Sequence, residues 1–366
     1  MFMGLVGSEM CIRDRNTTDA NFEVPIVHKF ALGLNSSFGV EDLLFNMDVI
    51  ATEVENPAII NDINVSKTGE TDFTGRPYYN CSGGNARDSF TCFGPFDFQL
   101  TNSSQSPVGL TYSLSLSKLW RESDVRFSIG YANTSLQDVT PMTSSVAYSN
   151  FTGVATIDRN NPTVAQSNHV IPERITATLR YQPVTIEGGY RFKASLFINR
   201  FQSRSYSYTY DGEEHGQTPA FTDQSLLYVP TNAADPNVVF DGISPAAFFA
   251  ITDAAGCPRG QYCPRNSIDG AWNTSINLKL AQEFPGFAPD HEAEIYMVIK
   301  NLGNLINSKY GIFREPGFPS MQKVARLSEI DDQGRYVYDR LYSPRGSSIS
   351  PYASTYEVKF GFYYRF

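Results

Sequence analysis

The sequence predicts an all-β chain, an antiparallel transmembrane β-barrel wall with long extracellular loops. Three observations predict it. Apolar and polar residues alternate with period two over roughly nine long segments. The connections between these segments are alternately short and long. The 366 residues include 21 Tyr, 26 Phe and 27 Gly, and only 18% are charged. A barrel spends half of each strand on lipid and half on a polar lumen, so the negative mean hydropathy of this chain is compatible with a membrane wall.

The segments follow in chain order. Phe30, Leu32 and Leu34 mark a weak first strand. Leu43, Phe45, Met47 and Val49 oppose Asp42, Asn46 and Asp48. Leu110, Tyr112, Leu114 and Leu116 oppose Thr and Ser residues from Thr111 to Ser117. Val125, Phe127, Ile129 and Tyr131 oppose Arg126, Ser128 and Gly130. Ile175, Ala177, Leu179 and Tyr181 oppose Arg174, Thr176, Thr178 and Arg180. Tyr190 to Ile198, Trp272 to Leu280 and Ala293 to Ile299 repeat the pattern. The last segment is the clearest: Tyr356, Val358, Phe360, Phe362, Tyr364 and Phe366 share one face. Helical spacing would place charges on that stripe.

Short connections are expected near 35–40, 120–124, 182–186 and 283–290, and long ones near 55–106, 140–168, 202–271 and 303–353. Outer-membrane barrels have short periplasmic turns and long extracellular loops, so this alternation assigns the long ones to the outside. A soluble sandwich also alternates, but its strands average about 5–6 residues, against the ~9–11 of a tilted membrane crossing. Nine strands is an odd number, and bacterial single-chain barrels close with an even one. The first strand also runs inward. The expectation is therefore a partial wall. Tyr336, Tyr338 and Tyr342 read as a hairpin arm within the last loop.

Other classes find little support. The net charge of −9 argues against nucleic-acid binding. No run of 18 apolar residues offers a transmembrane helix. His28, His169, His215 and His291 are scattered, and no HExxH, GxSxG or phosphate-binding loop is present. No enzyme activity, metal or cofactor is expected.

Residues 1–15 resemble a translated sequencing-adapter tail of the kind fused to metagenomic reading frames; their Arg13 and Arg15 follow the weakly apolar stretch, unlike a signal peptide. The expected folded unit is then 16–366.

The segments Asn168–Tyr181, Tyr206–Gly212 with Asp223–Pro230, Arg259–Gln261 with Arg265–Ser267 and Trp272–Gln282, and Lys300–Gly311, closed by the terminal aromatic strand, together resemble the barrel of TonB-dependent receptors, in particular the Oar-like branch. In that branch a His is usual where Glu173 stands. The resemblance implies about 9–10 strands of a 22-stranded barrel, with the N-terminal plug and the TonB-interacting segment upstream of this chain. It also implies residence in the outer membrane of a Gram-negative bacterium and energised uptake of an unidentified substrate, with peptide or protein cargo conceivable. Its partners would be outer-membrane lipid and lipopolysaccharide, the barrel-assembly machinery and the TonB complex. A complete small porin-like barrel, or a surface adhesin or structural barrel, are the alternatives.

Four sets of residues stand out. Phe360, Phe362, Tyr364 and Phe366 resemble the terminal assembly signal, which works by strand addition. Cys257 with Cys263, and less firmly Cys81 with Cys92, read as loop disulfides in an oxidising compartment. Tyr206, Tyr208, Tyr210 and Tyr228 read as ligand-stacking aromatics at the mouth or, more plainly, as the outer aromatic belt. The acidic stretches 211–214 and 329–332 read as solvated loop, or as a bridge to lipopolysaccharide through divalent ions.

Overall fold

The computed structural model describes residues 15–37, 42–81, 84–85, 97–212 and 224–366. Nine long strands form one antiparallel meander: β1 Ile26–Ser37, β2 Leu43–Glu55, β3 Val108–Trp120, β4 Val125–Asp138, β5 Glu173–Tyr181, β6 Tyr190–Gln202, β7 Trp272–Pro285, β8 Glu292–Lys300 and β9 Glu357–Arg365. Each strand pairs with its neighbours in sequence. These are the segments the alternation predicts. They run from 9 to 14 residues. At about 3.3 Å per residue, a 13-residue strand such as β3 reaches roughly 43 Å, enough to cross a bilayer at a steep tilt. No helix of the described residues is long and apolar enough to cross a membrane, which says nothing of strands.

Register sorts the side chains into rows. Phe360, Met297, Leu280, Ala194, Tyr181, Val125 and Trp120 lie side by side across seven strands on one face. On the other face Ser275, Asn199, Thr176, Gly130, Ser115 and Asn46 form a polar row. A one-residue slip would move every apolar group to the wrong face, so the alternation itself pins the register. The apolar face is bare. Phe30, Leu32 and Phe360 are each more than 70% exposed.

The short connections carry ionic and hydroxyl ties. Arg121 is held by both oxygens of Asp42. Lys193 reaches Glu294 at 2.9 Å and also meets Glu283. Tyr364, one of the four terminal aromatics, uses its hydroxyl to bind the 286–291 turn: Phe287 N donates to it, and His291 Nδ1 lies at 2.8 Å. Gly361 has a packing role. A Cβ there would sit 2.1 Å from Cζ of Tyr296 on β8.

β1 and β9 each pair on one side, and no closed barrel forms among the described residues. What the structure establishes is a mostly antiparallel all-β architecture.

The connections 56–107, 139–172, 203–271 and 301–356 all leave the same end of the meander and fold into a cap. Ser207–Asp211, Met321–Ile330, Tyr336–Leu341 and Val238–Phe240 form a four-stranded sheet within it. The arm Met321–Ile330 with Tyr336–Leu341 is the hairpin expected in the last loop. The cap core is aromatic, built around Tyr210, Tyr336, Tyr338 and Phe248, all fully buried. The helix Pro245–Ala254 closes it, starting with Pro at its first turn and capped by Ser244, which accepts from Ala247 N. A smaller cluster of Ile60, Phe98 and Phe151 joins the first two connections.

Candidate functional site

At the cap end of the polar face, β1 to β4 and the start of connection 139–172 enclose a cavity of 760 Å³. Parity explains its wall. Lys29, Thr52, Gly109 and Leu136 are in register on adjacent strands, and Ile50, Thr111 and Thr134 form the next row. Gly109 matters because a Cβ there would lie 2.5 Å from Cδ1 of Leu136, so only glycine lets that leucine turn into the cavity. Met142 and His169 complete the rim from the cap side. Asp138 also lines the cavity, but Arg265, a buried guanidinium, engages it at 3.0 Å and donates to the Val139 carbonyl. The lining therefore presents apolar side chains, threonine hydroxyls and two cationic or titratable groups, Lys29 and His169. Ser167 Oγ accepts from the His169 backbone N, and no hydroxyl is hydrogen-bonded to the His169 ring among the described residues. The other described histidines are spent elsewhere, His28 on Glu55 at 3.2 Å and His291 on Tyr364. His215 lies outside the described residues.

The structure moves Tyr206, Tyr208, Tyr210 and Tyr228 away from both sequence expectations. Each is at most 8% exposed. They sit inside the cap core, so their rings offer no face to a ligand or to the membrane interface. The reason is that β6 ends at Gln202, and Ser207–Asp211 belongs instead to the cap sheet, pairing in parallel with Met321–Ile330. A strand covered on both faces wants an aromatic as much as a belt does.

Cys257 and Cys263 are bonded within this core. Cys92 lies outside the described residues, as do Cys11, Glu213 and Glu214. Of the acidic stretches, Asp211 is bound by Lys323 at 2.9 Å and by Tyr342. Asp331 accepts from Gln333 N and Arg335 N of its own turn. These carboxylates serve turns and ion pairs, and no group of three metal-ligating side chains occurs among the described residues. Phe360, Phe362 and Phe366 are all exposed on β9 or just beyond it.

The sequence gives no sign of the cap's polar brace. The turn Asp72–Arg76 of the first long connection inserts into the aromatic core. Phe73 packs edge-on against Tyr228 and Tyr336, at centroid distances of 5.1 and 4.8 Å. Arg76 donates to Ser225 Oγ at 2.9 Å and to the Tyr210 hydroxyl. Tyr336 donates to Asp72. The only hint is the density of tyrosines in the connections.

Two expectations test the cap. Removing both cysteines as Cys257→Ala and Cys263→Ala should cost about 2 kcal/mol through lost loop-closure constraint on a short loop. Amide exchange should quicken in the cap strands and leave β3 to β7 protected. The second concerns Asp62, which is 2% exposed. Burial pushes its carboxyl up from 3.8 to about 6, the Asp97 charge adds to this, and the Asn64 backbone N–H opposes it. A raised acid favours the folded state at low pH. Its stabilisation is complete below about pH 4 and is lost as pH rises through about 6. At pH 7 the buried charge costs on the order of 2–3 kcal/mol. Asp62→Asn, which keeps an acceptor for Asn64, should raise resistance to urea and protease at pH 7.5 and change little at pH 4. Equal effects at both pH values would refute the assignment.

No known protein family, no curated protein and no solved structure matches this chain.

Proposed function

We propose that this chain forms nine strands of the wall of an outer-membrane β-barrel, and that the barrel belongs to a TonB-dependent receptor taking up its substrate past the cap. The observation that carries the reading is the pairing of a bare apolar face with strict alternation of short and long connections. An apolar face this wide is tolerable against lipid and costly against water. The open edges at β1 and β9 support further strands. Unpaired backbone groups in hydrocarbon cost several kcal/mol each, which closure removes. The cavity at the cap end of the polar face lies where a substrate entering such a barrel would first meet its wall. In this reading the substrate and the TonB complex are the functional partners, and lipid and the assembly machinery are the structural ones. Phe360, Phe362 and Phe366 would be offered to that machinery, while Tyr364 ties down its turn.

The test is long-read sequencing of the source gene upstream of the codon for Asn16, followed by expression of the whole reading frame in cells with and without TonB. A plug and roughly a dozen more strands upstream, with TonB-dependent uptake, is the expected result. A signal peptide joined near Asn16, with passive conductance in planar bilayers, would replace the receptor by a small porin.

A further inference from the structure

A second cavity, of 710 Å³, lies wholly within the cap. None of its lining residues belongs to β1–β9. Three long connections contribute: Thr152 from one, Thr209 and Gln224 from another, and the arms 317–323 and 342–348 from the last. Two features distinguish it from a packing fault. First, it contains orphaned polar atoms. Thr209 is fully buried and Gln224 is 4% exposed, yet neither Thr209 Oγ1 nor Gln224 Oε1 has a hydrogen-bond partner among the described residues. The Gln224 amide nitrogen is held by the Thr152 carbonyl, which leaves its oxygen as the acceptor without a donor. Buried polar groups are nearly always paired, so two orphans in one cavity wall are unusual. Second, the lining is cationic in a chain of net charge −9. It includes Lys323 and Arg345 and no carboxylate. Lys323 is shared with Asp211 behind the wall. Arg345 is exposed at the rim and makes no ion pair among the described residues.

The remaining surface is amphipathic. Tyr342, Pro319 and Pro344 give flat apolar walls, and Ser343, Ser347 and Ser348 give hydroxyls. The geometry points to a binding site for an acidic sugar, a hexose ring carrying a carboxylate. Its hydroxyls would donate to Gln224 Oε1 and pair with Thr209. Its carboxylate would meet Arg345, whose guanidinium offers a two-pronged, charge-assisted contact. The apolar face of the ring would rest on Tyr342 and the prolines. A bare anion would accept from the Thr209 hydroxyl but leave Gln224 Oε1, which can only accept, without a donor, and a neutral sugar would leave the cationic rim unused. The site goes beyond the transport reading and stands whether or not the sheet closes into a transporter.

The experiment is calorimetry on the full chain in nanodiscs, with D-glucuronate as probe and D-glucose and acetate as controls. A ligand of this size at ordinary efficiency should bind with a Kd on the order of 1 mM. Glucose and acetate should each bind about tenfold more weakly, the factor expected for losing one charge-assisted contact or a set of hydroxyl contacts. Arg345→Gln should bring glucuronate down to the affinity of glucose and leave glucose unchanged, and Arg345→Lys should recover part of the loss. Thr209→Val should weaken glucuronate and glucose alike while raising the thermal midpoint, because it deletes an orphaned hydroxyl. Equal binding of acetate and glucuronate would reduce the site to an anion patch and overturn the proposal. So would an Arg345→Gln variant that binds glucuronate normally, or the absence of saturation at about 20-fold above the expected Kd.

Discussion

On the proposed membrane reading, Leu114→Arg is expected to destabilise the folded sheet by about 2–4 kcal/mol in lipid vesicles, the cost of a cation on a lipid-facing surface near the bilayer midplane. Leu114 stands mid-strand on β3, between Met47 and Tyr131 on the apolar face, and is 38% exposed. Were that face in water, the same change would alter stability by no more than about 0.5 kcal/mol, as exposed substitutions generally do. Two further variants make the result specific to a membrane. Leu110→Arg, on the same face but near the cap end, should cost about 0–1 kcal/mol, since the penalty falls toward the interface. Ser113→Arg, on the opposite face and directly across from Asp48, should be near neutral. Urea titration of vesicle-inserted protein, read by heat-modifiable migration on gels, measures all three. A flat profile across them would remove the membrane reading, and with it the receptor.

The meander was legible because its physics is local. A strand with an apolar environment on one face and a polar one on the other must alternate, and β1–β9 do so through most of their length. The connection lengths then followed from the boundaries. The cap was not legible for the same reason in reverse. Tyr206 to Tyr210 alternates as a wall strand does, with Ser207 and Thr209 between the tyrosines. Yet Ser207 and Thr209 are as buried as the rings. The partner that buries them, Met321–Ile330, lies more than a hundred residues away in parallel pairing. Nothing in the local pattern announces such a pairing, and tyrosine suits an interfacial belt and a hydrogen-bonded core equally well. The two cavities were hidden differently. Their polar residues, Lys29 and His169 in one and Gln224 and Arg345 in the other, are single and far apart in sequence. Only the fold brings each pair to one wall.

Arg76→Ala is expected to cost the cap about 3–4 kcal/mol. The guanidinium is 6% exposed and lies 5.7 Å from the ring centre of Tyr210. Its loss removes two charge-strengthened hydrogen bonds, each worth about 1.5–3 kcal/mol, less the cost of having buried the charge. It also removes a stacked contact of about 1–2 kcal/mol. Tyr336→Phe acts on the other side of the same turn. It deletes the donor to Asp72 and the 3.1 Å contact with Tyr262. Asp72 keeps its bonds from Thr74 N and Arg76 N, so the expected cost is smaller, about 1.5–2 kcal/mol. Because both variants undock the same five-residue turn, their effects should not add. Once Arg76 has gone and the turn has left, the Tyr336 hydroxyl has little further to lose. A double variant costing little more than Arg76→Ala alone, about 3–4 kcal/mol, would show this coupling, whereas an additive cost of about 4.5–6 kcal/mol would mean the two ends of the turn are held independently. The coupling has a consequence for any substrate that passes the cap. The first connection is anchored in the core made by connections 203–271 and 301–356, so it cannot swing aside alone. Opening must either move the long connections together or first break the contacts of Asp72 and Arg76. Exchange measurements on the Arg76→Ala variant should therefore show the strands Val65–Thr71 and Pro77–Cys81 losing protection first.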